Sequence, residues 1–252
     1  MRLSLRKPQI KLACLFLMLT GFGVSAQMAG PGGPAGMTAA ITKLFGDNRA
    51  FTAKTEVQLL DNSQKEIALM PMNFSLLDKS IRVEMDLSQV KNREMPPGTA
   101  ESLKQMGMAR VISIINPGKK AAYVLYPDQK MMLTIAVTNE EPNDASSKLN
   151  KTSLGNETVD GHPCVKNKVT VPGEGGEKID VTMWNATDLK DFPVQIQTKE
   201  RENTSIMRFK QVQLTKPEAS LFEPPSDYTQ YASQQELMQA ILKKMAPGVD
   251  KK

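Results

Sequence analysis

A mainly β protein with a few helices, of the α+β class and built from about eleven antiparallel strands, is the fold that this sequence predicts. Three observations carry the prediction. Apolar side chains recur at every second position through long stretches, turn residues divide those stretches, and the alternation of strand and helix patterns that would build a parallel sheet is missing.

The chain of 252 residues opens with a segment outside that fold. Met1 to Lys11 is basic and free of acids, Leu12 to Val24 is apolar, and Val24-Ser25-Ala26 offers small residues before Gln27. This reads as an export signal over 1–26, cleaved after Ala26. Its apolar run of about 13 residues falls short of the roughly 20 that a membrane span requires. A periplasmic or secreted protein with no membrane-spanning helix is therefore expected. Cleavage removes Arg2, Arg6, Lys7 and Lys11, so the formal charge falls from +5 to +1, with 28 bases facing 27 acids. A nearly neutral protein has no general attraction for nucleic acid. Cleavage also removes Cys14 and leaves Cys164 alone, which excludes an intramolecular disulfide.

Gln27 to Gly36 holds four glycines and two prolines and forms a flexible leader, 27–36. Thr38 to Phe45 places Ile41, Leu44 and Phe45 at helical spacing before Gly46, which predicts a short amphipathic helix. From Phe51 the period becomes two. Phe51, Ala53, Thr55, Val57 and Leu59 form one strand face, Ala68, Met70, Met72, Phe74 and Leu76 a second, and Ile81, Val83, Met85 and Leu87 a third. Pro96-Pro97-Gly98 interrupts them, and Thr99 to Met108 has room for a turn or two of helix.

The stretch from 109 to 137 contains three apolar runs divided by Asn116-Pro117-Gly118 and Pro127-Asp128, which predicts two tight hairpins. Both faces of these runs are apolar, so something must cover the second face. After a polar linker at 139–150, strands resume at 153–159, 163–171, 178–184, 193–200 and 204–215. Asp160-Gly161, Pro172 to Gly176 and Arg201 to Asn203 are their turns. Ser233 with Glu236 forms a capping box, and Leu237, Met238, Ile241, Leu242 and Met245 form an apolar stripe. One folded domain over 37–232 and a C-terminal amphipathic helix with a polar tail over 233–252 complete the organisation.

Little in the sequence is built for catalysis. His162 and Cys164 lie two apart, the spacing that would set a thiolate and its base on one strand face. The turn at Asp160-Gly161 and the intervening Pro163 favour a structural Cys beside an exposed His, and no enzymatic activity is expected. A single His excludes a two-His metal site, and GxSxG, HExxH and phosphate-loop patterns are missing, so neither a metal nor a cofactor is expected. Methionine is abundant, with 14 remaining after Met1 and Met18 are removed. Met70-Pro71-Met72, Met106-Gly107-Met108 and Met131-Met132 raise a copper(I) site as a rival to the reading of Met as an adaptable filler of apolar space.

The order of several short motifs has a counterpart among known proteins. It runs from a short helix leading into Phe51-Thr52-Ala53, through Asn116-Pro117-Gly118-Lys119-Lys120 before Tyr123 and Pro127, to Leu154-Gly155-x-Glu157-x-Val159-Asp160-Gly161. Trp184 before Phe192-Pro193, and Leu221-Phe222-x-Pro224, continue it. Over roughly Met37 to Tyr228 this order resembles the periplasmic lipoprotein-carrier superfamily of LolA-like proteins, and within it a subgroup of exported bacterial proteins of unknown function. The leader, the helical insertion at 97–108 and the C-terminal helix are additions to that pattern.

The resemblance implies a curved, incomplete antiparallel β-barrel with helices on its concave side. It also implies a non-enzymatic protein of the cell envelope that binds an apolar ligand, a lipid or the acyl chain of a lipidated protein. An envelope interaction or sensing module without a small ligand is the alternative. On the carrier reading the helix at 38–45 is a lid carrying Ile41, Leu44 and Phe45, and Met70, Met72, Phe74 and Leu133 line the cavity beneath it.

Overall fold

The computed structural model describes residues 42–137, 149–172, 178–200 and 203–245. The export signal, the leader, Ile41, most of the polar linker, the end of the polar tail, and the expected turns at 173–176 and 201–202 lie outside the described residues. Thirteen strands form one sheet. They are β1 (Ala50–Leu60), β2 (Glu66–Leu77), β3 (Ser80–Asp86), β4 (Lys91–Asn92), β5 (Arg110–Asn116), β6 (Ala121–Tyr126) and β7 (Met131–Ala136). There follow β8 (Lys151–Val159), β9 (His162–Pro172), β10 (Lys178–Ala186), β11 (Phe192–Glu200), β12 (Asn203–Gln213) and β13 (Thr229–Tyr231). Among the described residues two longer helices, α1 (Thr99–Gln105) and α2 (Gln234–Met245), accompany a single helical turn at 42–44.

In space the strands run β13-β7-β6-β5-β3-β2-β1-β12-β11-β10-β9-β8, with β4 pairing the far end of β2. The sheet is large, curved and unclosed, an incomplete barrel. Every pairing is antiparallel except that of β13 with β7. β1 sits between β2 and β12 and so joins the two halves of the chain. The expected eleven strands are all present; the additional two are β4 and β13, which with two and three residues are too short to show a period.

Local chemistry explains the connections. Between β1 and β2, one carboxylate oxygen of Asp61 accepts from the backbone N–H of Ser63 at 2.9 Å and of Lys65 at 3.0 Å, closing the turn. Asp160 and Gly161 both have positive φ, 48° and 86°, as a two-residue hairpin turn requires. At Asn116-Pro117-Gly118 and Pro127-Asp128 the hairpins are present, but each turns through a short 3-10 helix rather than a two-residue turn. Pro fixes φ at the start of each, and Lys120 and Lys130 leave it in the left-handed conformation.

The main core fills the concave side of the sheet. Into it β1, β2 and β3 send the alternating faces expected from their sequences, α1 adds Leu103, and α2 adds Leu237 and Ile241. Half of the expected capping box of α2 is present, the Ser233 hydroxyl accepting from the Glu236 N–H at 3.2 Å, while the Glu236 carboxylate reaches one residue further back and accepts from the Ala232 N–H. Within the stripe Leu242 is 58% exposed, because each residue advances about 100° around a helix and carries it past the edge of the face that Ile241 buries.

The convex side explains the doubly apolar strands. Val111, Val124, Tyr126 and Met131 join the main core, whereas Ile112, Ile114, Leu125 and Met132 form a second cluster on the opposite face. Phe222 seals that cluster, with Tyr228 packed beside it. The cover is thus the chain's own segment between β12 and β13, a strap across the outside of the sheet. Arg82 donates to the Leu221 carbonyl at 3.1 Å, Lys119 pairs with Glu223, and Lys130 pairs with Asp227 at 2.8 Å.

Candidate functional site

One row of side chains crosses the concave face at mid-sheet. Register places Thr55 of β1 opposite Phe209 of β12 and Met72 of β2, Met72 opposite Met85 of β3, and Met85 opposite Val111 of β5. One position along, Val57 lies between Met207 and Met70. Methionine therefore lines the middle of the interior, where unbranched thioethers adapt to irregular space. Thr55 is the polar exception: it is 1% exposed, and its hydroxyl has no hydrogen-bond partner.

Towards one end of the sheet the Met region gives way to phenyl rings. Phe51, Phe74, Phe192 and Phe209 come from β1, β2, β11 and β12, and Phe45 enters between them from the turn before β1. Its ring centroid lies 4.7 Å from Phe51, 5.4 Å from Phe209, 5.7 Å from Phe192 and 5.8 Å from Phe74. These tilted and edge-on separations are those of favourable aromatic pairs. A turn of helix at 42–44 precedes Phe45, and Gly46, with φ 57°, ends it.

Phe45 has a second role in the geometry. It is 1% exposed and, with buried Leu76 and half-buried Leu149, lines a cleft of about 620 Å³ that opens beside the turn. Charged groups surround the rest of the opening: Lys43, Arg49, Lys79, Lys151 and Lys190 against Asp47, Asp78 and Asp191. Lys151 is paired with Asp191 at 2.7 Å. Two hydrogen bonds hold the turn in place, the Asn48 side-chain Nδ2 donating to the Lys190 carbonyl at 3.1 Å and the Asp78 backbone N–H donating to the Arg49 carbonyl at 2.6 Å.

The residues singled out from sequence are distributed as follows. Phe45, Met70, Met72 and Phe74 are buried in the main core, and Leu44 and Leu133 are half-buried against it. Ile41 lies outside the described residues. Of the described six, Phe45 alone also lines the cleft. The charged rim was not visible in the sequence, because its members come from strand ends and turns as far apart as Lys43 and Lys190.

His162 and Cys164 make their hydrogen bonds to groups other than each other's side chains. Nδ1 of His162 lies 2.8 Å from an Asp188 carboxylate oxygen, and the buried Cys164 thiol donates to the His162 backbone carbonyl at 3.3 Å. Burial pushes the thiol's pKa up, away from the thiolate that a nucleophile needs. The methionine pairs are placed as packing. Met70 and Met72 share the core, Met106 rests against it beside buried Met108, and Met131 and Met132 serve the two opposite clusters. Among the described residues, no group of three or more His, Cys, Asp and Glu side chains is placed to hold a metal ion, and no helix is long and apolar enough to cross a membrane.

A family model described as a domain of unknown function, DUF4412, matches residues 62–192, from the turn before β2 to the start of β11. No curated protein matches the chain. Among solved structures, an uncharacterized conserved protein from Thermus thermophilus is similar at 9% identity, with 77% of this chain and 97% of that one covered and a TM-score of 0.45. LprF from Mycobacterium bovis is similar at 13% identity, with 71% and 94% covered and a TM-score of 0.39. A LolA superfamily protein from Nitrosomonas europaea is similar at 10% identity, with 75% and 97% covered and a TM-score of 0.36. The last of these comes from the superfamily that the sequence motifs resemble.

Proposed function

The chain belongs to the family of the domain of unknown function DUF4412, and from that starting point we propose that it is an exported, non-enzymatic protein of the cell envelope that binds an apolar chain. The ligand is a lipid or the acyl group of a lipidated protein, taken up where Phe45 now sits. The observation that carries this reading is the position of Phe45. One side chain, delivered by a turn outside the sheet, fills the centre of a phenyl cluster and at the same time lines a cleft. Withdrawal of the turn would join the cleft to the interior, with Ile41, Leu44 and Phe45 acting as the lid and Phe74, Met72, Met70 and Leu133 receiving the chain.

Magnitudes decide which chains are suitable. Burying a methylene contributes about 0.8 kcal/mol, so sixteen supply about 13 kcal/mol and ten about 8 kcal/mol. Against this stand the loss of a buried Phe, about 3–5 kcal/mol, and association costs of about 4 kcal/mol or more. Sixteen methylenes leave at most about 6 kcal/mol and ten at most about 1 kcal/mol. Long chains therefore bind reversibly and short ones hardly at all, as suits a carrier.

Uptake of fluorescent fatty acids of graded length by the purified protein, with mass spectrometry of whatever it carries from the cell, tests the reading. Uptake should rise steeply with chain length, and Leu44→Asp should weaken it while far-UV circular dichroism stays unchanged. If no chain is taken up and nothing is extracted, the carrier reading is wrong. The filled interior would then favour the second reading, an envelope interaction or sensing module that uses the same curved sheet as a rigid platform.

A further inference from the structure

The concave interior holds a buried hydroxyl with nothing to bond to. Thr55 is 1% exposed, and its Oγ1 has no hydrogen-bond partner. Its neighbours across the sheet, Met72 and Phe209, are apolar, and β1 is paired on both sides at this position, so the backbone around it is already engaged in the sheet. A buried water would need roughly two to four polar partners, which this row of side chains does not offer. Leaving a hydroxyl unpaired in such surroundings costs stability and calls for a reason. Among the described residues no Asp, Glu, Lys or Arg is buried, so a charged group brought here would lose its water without gaining a counter-charge. The partner that fits is an uncharged oxygen.

The position of Thr55 along β1 says where on a ligand that oxygen lies. Phe51, Ala53 and Thr55 share one face of the strand, and Phe51 belongs to the phenyl cluster that Phe45 enters beside the cleft. At about 3.3 Å per residue, Thr55 lies about 13 Å further along than Phe51. Ala53, the smallest of the three, stands opposite Phe74, and there the pairing with β12 is broken by a bulge in which Gln211 and Val212 face a single residue. A chain that displaces Phe45 and follows this face reaches Thr55 part-way along its length, with its end group still at the cleft.

We infer that Thr55 sets specificity in the interior: its hydroxyl donates to an uncharged oxygen, a hydroxyl or a keto group, carried part-way along the acyl chain. The inference rests on the carrier reading and adds the chemistry of the chain to it, an oxygen-substituted chain in preference to a plain hydrocarbon one.

The test compares stearate, a hydroxystearate substituted beside the carboxyl, and mid-chain hydroxy- and oxostearates, by competition against a fluorescent fatty acid. Thr134 supplies the control. Its hydroxyl is the other buried side-chain oxygen without a partner among the described residues, but it lies on the face of β7 that carries Met132, towards the strap. Wild type should bind the mid-chain hydroxy and oxo acids about tenfold more tightly than the other two. Thr55→Val should abolish that preference, Thr55→Ser should keep it, and Thr134→Val should leave it intact, with circular dichroism verifying each fold. If wild type shows no preference, or if Thr55→Val weakens all four acids alike, Thr55 acts by packing alone and the inference is refuted while the carrier reading stands. Failure of every chain to bind refutes the carrier reading, and the inference with it.

Discussion

At the β7 end of the sheet the chain folds over the edge on three sides: the strap seals the convex face with Phe222, β13 pairs in parallel along the edge, and α2 packs Leu237 and Ile241 into the concave face. At the other end β8 receives no such treatment among the described residues. Its residues are exposed on both faces from Lys151 to Thr158, and Leu154 stands 52% in solvent. An edge with free N–H and C=O groups invites pairing with other chains. β8 answers with local devices, a register shift between Ser153 and Gly155, positive φ at Gly155 and charged residues at positions 151 and 157. The contrast teaches that an edge can be finished by tertiary cover or by irregularity, and that only the first adds much to stability.

Four substitutions probe that contrast, beginning with the largest effect. Phe222→Ala removes the seal of the wrapped end and should cost about 3–5 kcal/mol in urea unfolding; a loss under about 1 kcal/mol would mean that the strap is ornamental. Thr55→Val, midway between the edges, calibrates both. It deletes an orphaned buried hydroxyl at constant shape and should raise stability by about 1 kcal/mol, whereas a fall would reveal a partner for the hydroxyl.

Asp227→Asn tests the strap's electrostatic fastening. The Lys130 ammonium bonded to Asp227 holds its carboxyl below the ordinary value of 3.8. A carboxyl depressed on folding adds stability that is present above the unfolded pKa and is lost as pH falls through the lower folded one. The gap between wild type and Asp227→Asn should therefore be present at neutral pH and shrink as the pH falls below 3.8. The smallest effect belongs to the bare edge: Leu154→Ser should leave the unfolding free energy within about 0.5 kcal/mol.

The sequence disclosed the parts of the fold that have a period. Eleven strands follow from alternation, α2 from its capping box and stripe, and the doubly apolar runs at 109–137 announced a cover on their second face. The cover itself was hidden, because residues 217–228 hold Pro217, Pro224 and Pro225 and make their contacts through an irregular chain in which only Phe222 is a large buried apolar residue. The site was legible to a similar extent. Phe45 stood out as the last apolar residue of a short helix, but the charged rim is assembled by topology from residues that are unremarkable where they stand. Leu242 marks a limit of pattern reading in the other direction, since an apolar residue at helical spacing was left in solvent.

The place of β1 in the sheet has a consequence in time. Its partner on one side, β2, follows after a short turn, but its partner on the other is β12, and the Lys210–Glu56 ion pair across that seam joins residues 154 apart. Pairings this distant in sequence slow folding, because the chain must close a long loop before any contact compensates the lost entropy. The N-terminal hairpin must therefore wait, one flank unpaired, until most of the chain is available. Of all the strands, β1 is the one that stands longest at risk of meeting the wrong neighbour.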